Sequence, residues 1–379
     1  MNLLGLHLQL YIGRNVPRPA PLKLSEALES VQVTHKDEGR SGFQLVLQIG
    51  RSALDLMDYS LLKNPLIEPF NRVMLNVIFG VTPQPIMDGI IANQQLAPGD
   101  DPGASKLTLM GEDITLMMDL EKKSREYPSR TDFEIVQEIL GHYGDYGITF
   151  DILSSLRLLI LLLPRRTPEE GTKQQARLTD LGFITKLAEN YGYVFYVEPG
   201  PARGVNTAYW GPPDVSGSSQ RALSVNMGPN TNVESISFKY NGLVAEKVAF
   251  IRQDKSEETL KPERRRRPLA TDPATPKKRV YLAQPSTMQE DEARARAQGQ
   301  ANKSLDAVVT ANGSLDALRY GRVLKPRGLV DLRGAGASYD GTYYVKSVTH
   351  NINVRKGEYK QTFVLTREGV GTTTPFVST

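Results

Sequence analysis

Between Tyr339 and Gly369 the chain alternates residues with a period of two, over Tyr343–Thr349 and again over Tyr359–Thr366. Successive side chains of an extended strand point to opposite faces, so this spacing specifies strands and not an amphipathic helix. Tyr344, Lys346 and Val348 fall on one face; Tyr343, Val345 and Ser347 fall on the other. In the second run Tyr359, Gln361, Phe363 and Leu365 share a face, and Lys360, Thr362, Val364 and Thr366 share the opposite one. Asp340-Gly341 and Lys356-Gly357 supply turn residues around the pair. The expected unit is an antiparallel hairpin of a β domain.

The same alternation marks the start of the chain. Leu6, Leu8, Leu10 and Ile12 form one run; Phe43, Leu45, Leu47 and Ile49 another; Val73, Leu75, Val77 and Phe79 a third. Further strands are expected over 87–95 and 106–110, so residues 1–110 read as a β barrel or sandwich. Helix signals enter over 111–230. Thr131-Asp-Phe-Glu134 is a capping box, with Phe133, Val136, Ile139 and Leu140 at helical spacing. Thr179-Asp180 opens a second helix that carries Leu181, Ile184, Leu187 and Ala188 on one face and closes at Gly192; Tyr193–Val197 then reads as a strand. The β pattern returns over 231–250 and 305–370, so a second β domain is split by an insertion. That insertion, 251–304, reads as an extended or disordered basic arm running into one helix, and 371–379 as a tail. The expected class is α+β, predominantly β.

Composition narrows the chemistry. With 379 residues the chain has room for two to four domains. It has no cysteine, hence no disulfide and no thiolate chemistry. Its four histidines, His7, His35, His142 and His350, are too widely spaced to suggest a transition-metal site. The start has no basic segment followed by an apolar block, so no signal peptide is expected and assembly in the cytosol is. The longest apolar run, Leu158–Leu163, is far below the roughly 20 residues of a membrane-spanning helix and reads as core.

The net charge of +4 is concentrated: residues 252–279 hold ten Lys or Arg against five Asp or Glu, and the remainder is close to neutral. At its centre stand Arg264, Arg265, Arg266 and Arg267. They read as a solvated loop, as a docking point for an acidic partner, or, least of the three, as a nucleic-acid contact. Tyr281 is the only nearby aromatic on which a base would stack.

Catalytic patterns are missing. Gly39-Arg-Ser-Gly42 is one residue wrong for a nucleophile elbow. Gly334-Ala-Gly336 lacks the third glycine of a dinucleotide fingerprint and reads as a tight turn, as does the acidic stretch Gly99–Gly103. The adjacent carboxylates Glu112/Asp113 and Glu169/Glu170 read as surface charge before a glycosidase pair. No catalytic, cofactor or metal-binding residue is expected.

Two stretches carry a family resemblance. The closing hairpin, with Asp340, Gly341, Tyr344, Val345, Val348, His350, Tyr359, Phe363 and Arg367 in order over about thirty residues, resembles the last hairpin of the phage late control D family. Residues 179–200, with Thr179, Asp180, Leu187, Ala188, Gly192 and Tyr193, are similar to that family's middle domain. The family contains baseplate hub proteins of contractile phage tails, and the hub portions of type VI secretion spikes and contractile injection systems. The resemblance implies two tail-tube-like β barrels per chain. It implies a homotrimer that adapts a hexameric tail tube to a central spike, with no cofactor and no reaction of its own. Implied partners are the tail tube protein, a spike or needle-tip protein and other baseplate proteins. Because the sequence stops soon after the hairpin, the spike is expected to be a separate chain. Two readings from other classes stand beside this one: a tail-associated peptidoglycan hydrolase, and a nucleic-acid-binding module acting through the arginine run.

Overall fold

Alternation alone places most of the first β unit. In the computed structural model, which describes residues 2–3, 6–14, 16–52, 55–59, 61–79, 82–101, 103–150, 172–200, 202–263, 267–283 and 288–373, the expected runs are strands. They are β1 (Leu6–Gly13), β3 (Gly42–Ile49), β4 (Arg72–Phe79), β5 (Thr82–Ala97) and β6 (Ser105–Asp113). Among the strands that the alternation does not mark, the longest in this unit is β2 (Leu28–Lys36). Only Leu28, Val31 and Val33 are apolar in it, although His35 is buried on the same side.

The middle segment follows its capping signals. Strand β7 (Lys122–Pro128) precedes α1 (Asp132–Gly141), where Thr131 and Glu134 form the expected capping box. Strand β8 (Thr172–Thr179) pairs antiparallel with β7 and runs into α2 (Asp180–Asn190). Then β9 (Val194–Pro199) and β10 (Asn206–Gly211) form a hairpin that carries Trp210 into a core with Ile139, Ile184 and Leu187. The run Leu158–Leu163 and the pair Glu169/Glu170 lie outside the described residues.

The second β unit contains β11 (Gln220–Ser224) and β12 (Val233–Tyr240). Its sequence then leaves the main sheet. Strand β13 (Glu246–Ile251) does not fold back on β12 as a hairpin across Asn241-Gly242. It pairs with β14 (Glu257–Leu260) and β15 (Lys278–Tyr281), and α3 (Glu290–Ser304) covers that small sheet. The expectation of an extended or disordered arm is therefore corrected for the described part of the insertion. Val248, Phe250, Ala293, Ala297 and Ala301 give it a small core of its own.

Helix α3 packs against the middle segment at two glycines. A Cβ on Gly299 would lie 2.1 Å from the Tyr191 carbonyl oxygen, and one on Gly192, at φ +66°, would lie 2.3 Å from the Gly299 carbonyl. Replacing Gly299 by alanine raises helix propensity by about 1 kcal/mol but introduces a backbone clash, and overpacking costs about 1–3 kcal/mol. We expect Gly299→Ala to destabilise the protein, and a raised midpoint in urea unfolding would contradict this.

The chain returns to the main sheet with β16 (Val309–Asp316), β17 (Leu329–Arg333), β18 (Gly341–Asn353) and β19 (Glu358–Arg367). The class is α+β and predominantly β, as expected. The main sheet runs β1-β4-β5-β6-β3-β2-β18-β19-β16-β12, with β17 beside β18 and β11 beside β17. The two β units thus share one ladder, joined where β2 pairs antiparallel with β18. A single apolar core follows the ladder through the join, from Leu45 and Val33 to Val348 and Phe363.

The hairpin β18–β19 corrects the expected facing. Its register shifts between Val345 and Ser347, so one extra residue sits at Lys346. A bulge of this kind moves all residues on one side of it to the opposite face. Tyr343 and Val345 therefore share the core with Val348, while Tyr344 turns the other way, onto Leu269 and Leu329.

Candidate assembly interface

The residues with a family resemblance are internal supports. Thr179 caps α2, accepting a bond from the Gly182 N–H (3.1 Å). Asp180 is fully buried and accepts from Lys123 Nζ (2.6 Å), Tyr143 Oη (2.8 Å) and Gln175 Nε2 (2.9 Å). Burial alone would raise its pKa; the bonds from Lys123, Gln175 and Tyr143 outweigh that and hold it below the usual carboxylate range. Leu187 and Ala188 are core, and Tyr193 meets Trp210 edge-on at 5.0 Å.

In the hairpin, Asp340 accepts from the Ala335 N–H (2.7 Å), and Gly341 holds φ +122°. Arg367, 1% exposed, donates to the carbonyls of Asp340 (2.9 Å) and Ser338 (2.6 Å) under the Tyr343 ring. Val345, Val348 and Phe363 are core. His350 lies against Tyr359, whose Oη is 2.7 Å from its Nδ1. The structure also brings His35 to His350, ring centroids 5.7 Å apart and perpendicular, across the β2–β18 join. Spacing in the sequence concealed that pair.

The nominal chemical motifs are structural as well. Glu112 pairs with Arg40, and Asp113 accepts from the backbone N–H groups of Ser41 and Thr115. Gly334 and Gly336 hold positive φ in a turn, and a Cβ on Gly334 would meet the Val225 carbonyl at 1.9 Å. Arg267 donates to the Gly217 carbonyl (2.7 Å); Arg264, Arg265 and Arg266 lie outside the described residues. Among the described residues no group of three or more His, Asp or Glu is placed to hold a metal ion, and no helix is long and apolar enough to cross a membrane.

Among the described surfaces open to a partner are one sheet face and the two sheet ends. On that face a row of hydroxyls crosses five strands in register: Ser235, Ser314, Thr362, Thr349 and Thr34. Ser235 and Ser314 are 2.8 Å apart, and Thr34 and Thr349 3.1 Å. The next row holds Lys360, Asn351, Gln32 and Gln44, with Gln32 donating to Asn351 (2.8 Å). The face is polar, and its charges are of both signs: Lys239, Lys106, Asp316 and Glu358 lie on it, and Lys360 is paired with Glu234.

At one end of the sheet β12 pairs, among the described residues, only with β16, which leaves its outer N–H and C=O row without a described strand. Tyr240 (50% exposed) and Leu243 (73%) stand beside it. At the other end β1 is covered at Leu6–His7 by Asn2–Leu3 and at Leu10–Ile12 by Arg18–Ala20, which among the described residues leaves only Leu8–Gln9 bare. Val16 (76%) and Leu22 (73%) are exposed there. Unpaired strand edges with apolar neighbours are sites where another chain adds. Sequence reasoning missed them because a strand's place in the sheet order is not written in its own residues.

Solved structures with a similar fold include tail proteins and a secretion-system component. The chain is similar to the 43 kDa tail protein of prophage MuSo2 from Shewanella oneidensis (TM-score 0.64, 10% identity, covering 96% of this chain and 98% of that one). It is similar to a tail protein of Neisseria meningitidis MC58 (TM-score 0.61, 14% identity, 97% and 98%). A third is an E. coli component of the type VI secretion system, described as structurally similar to T4 bacteriophage tail proteins (TM-score 0.55, 13% identity, 89% and 73%). No curated protein matches by sequence. The model of the Alg8 N-terminal domain matches residues 22–354, and the chain belongs to that family.

Proposed function

We propose that this protein is a structural hub of a contractile tail or injection baseplate. Three copies would surround an axis, joining a hexameric tail tube to a central spike without catalysing a reaction. The observation that carries the reading is the open β12 edge at one end of the sheet, opposite a β1 edge that is bare only at Leu8–Gln9. The β12 edge of one copy offers unpaired backbone with Tyr240 and Leu243 exposed, and the β1 end of the next offers the exposed Val16 and Leu22, at opposite ends of one continuous sheet. Such a head-to-tail contact closes into a ring when the rotation fits, and the polar face then turns toward the axis. The fold shared with tail proteins and the late control D resemblance of the hairpin support the same reading, and the tail tube and spike are its partners.

Co-expression with a spike protein of a contractile tail followed by native mass spectrometry tests it. The expected mass contains three copies of the 42.0 kDa chain. Tyr240→Glu with Leu243→Glu should leave monomer stability within about 0.5 kcal/mol, as exposed positions do, and should abolish the trimer. A hub that stays monomeric beside its spike, or a trimer indifferent to these charges, would sink the proposal. Turnover of cell-wall glycan by the purified protein would favour the hydrolase reading instead.

A further inference from the structure

A cleft of ≈ 420 Å³ opens between the β2–β3 turn, α2 and the residues before β7. On its wall lies Asp37, 4% exposed, whose N–H donates to the Lys346 carbonyl (3.1 Å). The side-chain Oδ1 of Asp37 is buried without a hydrogen-bond partner. Three neighbouring carboxylates are engaged. Glu38 pairs with Lys303 (2.8 Å) and Lys346 (3.2 Å), Asp119 with Arg40 and Thr179, and Asp113 with backbone N–H groups. Burial pushes the Asp37 carboxyl up to about 6; Lys346 and Arg327 pull it down and Glu38 adds to the rise. Tyr344 approaches from β18, Lys186 and Glu189 stand on α2, and Lys303 on α3. Above pH 6 the cleft wall therefore holds a buried carboxylate that Lys346 and Arg327 compensate in part but whose Oδ1 lacks a donor, and a further cation in the cleft would stabilise it. Leu181, Ala188 and Val194 make part of the wall apolar, which suits a methylene stem.

We propose that this cleft is a socket for one lysine or arginine side chain of a partner protein, its stem along Leu181, Ala188 and Val194 and its charged head on Asp37. The inference needs a protein partner but not the hub reading. Calorimetric titration of the full chain with N-acetylarginine amide and N-acetyllysine amide tests it, with N-acetylnorleucine amide as the uncharged control. Saturable binding of at least one cation is expected at pH 7.5, weakening about tenfold by pH 5 as Asp37 takes up a proton. Asp37→Asn should remove it, and so should Thr185→Trp, which fills the mouth from α2 and leaves Asp37 in place. Thr185→Trp decides the matter if Asp37→Asn does not fold. No binding of either cation, equal binding of the norleucine amide, or binding unchanged in a folded variant would overturn the proposal. The better binder of the two identifies the head group.

Discussion

Lowering the pH from 6.5 toward 4 is expected to destabilise the protein from its core, and replacing either His35 or His350 by glutamine should remove half of the histidines' share of that loss. Both rings are buried where β2 meets β18, 5% and 1% exposed. His35 Nε2 lies 2.6 Å from the Ile86 carbonyl, and its Nδ1 has no partner. Burial, then the charge of Arg327, pushes the His35 pKa down to about 3, with the Ile86 bond opposing. Burial, then His35, holds His350 well below its usual value of 6.5. The folded protein keeps both rings neutral while the unfolded chain protonates them near 6.5. Their stabilisation is therefore complete above pH 6.5 and is lost as the pH falls toward 3. Each group contributes a slope of about 1.4 kcal/mol per pH unit. Asp37 works in the other direction. With its pKa raised to about 6 from 3.8, the folded state holds a proton that the unfolded chain has released, which offsets about one histidine between those values. Urea midpoints measured across pH 4–7 should thus fall with acid in the parent. The slope should be smaller by about 1.4 kcal/mol per unit in each single variant. Parallel lines for parent and variants would refute the assignment.

That histidine pair illustrates what a linear pattern cannot carry. The strands holding it were legible in different degrees: β18 alternates strongly, whereas β2 offers little more than Val31 and Val33 among polar residues. Their pairing joins positions more than 300 residues apart, and no local rule predicts it. Strands β7 and β8 escaped for a related reason. Strand β7 is mostly exposed and β8 carries, among its described residues, only one fully buried side chain, Gln175, so Lys122–Pro128 and Thr172–Thr179 show charge and amide groups where a buried strand shows an apolar face. The bulge at Lys346 is invisible because the residues on either side obey the same alternation. Caps and turns fared better. Thr131, Thr179 and Gly192 act within one or two turns of chain, and their physics is complete in the local sequence. The residues that the resemblance singled out in the hairpin stabilise the protomer, while the surfaces offered to partners lie at sheet ends that only the assembled topology defines.

Removing the carboxylate of Asp88 is expected to be more damaging than any surface change. Arg72 on β4 and Asp88 on β5 form a two-pronged pair, Nε to Oδ1 and Nη2 to Oδ2 both at 2.6 Å, with side chains 7% and 1% exposed. The same Nη2 donates to the carbonyls of Tyr146 (3.0 Å) and Gly204 (3.3 Å), and Asn206 Nδ2 donates to Asp88 (2.9 Å). One ion pair thereby ties the first β unit to the loop and strand that carry the middle core. Asp88→Ala leaves a guanidinium buried with two carbonyls and no counter-charge, a loss of about 3–5 kcal/mol. That is a large part of the 5–15 kcal/mol typical of a folded domain. Replacing both partners, Arg72→Met with Asp88→Leu, removes the stranded charge and should recover much of the loss. Recovery will be incomplete, because Asn206 and the two carbonyls still lose their partners. Thermal unfolding of the parent, the single and the double variant decides it. A double variant less stable than Asp88→Ala alone would mean that the pair contributes net attraction beyond compensating its own burial.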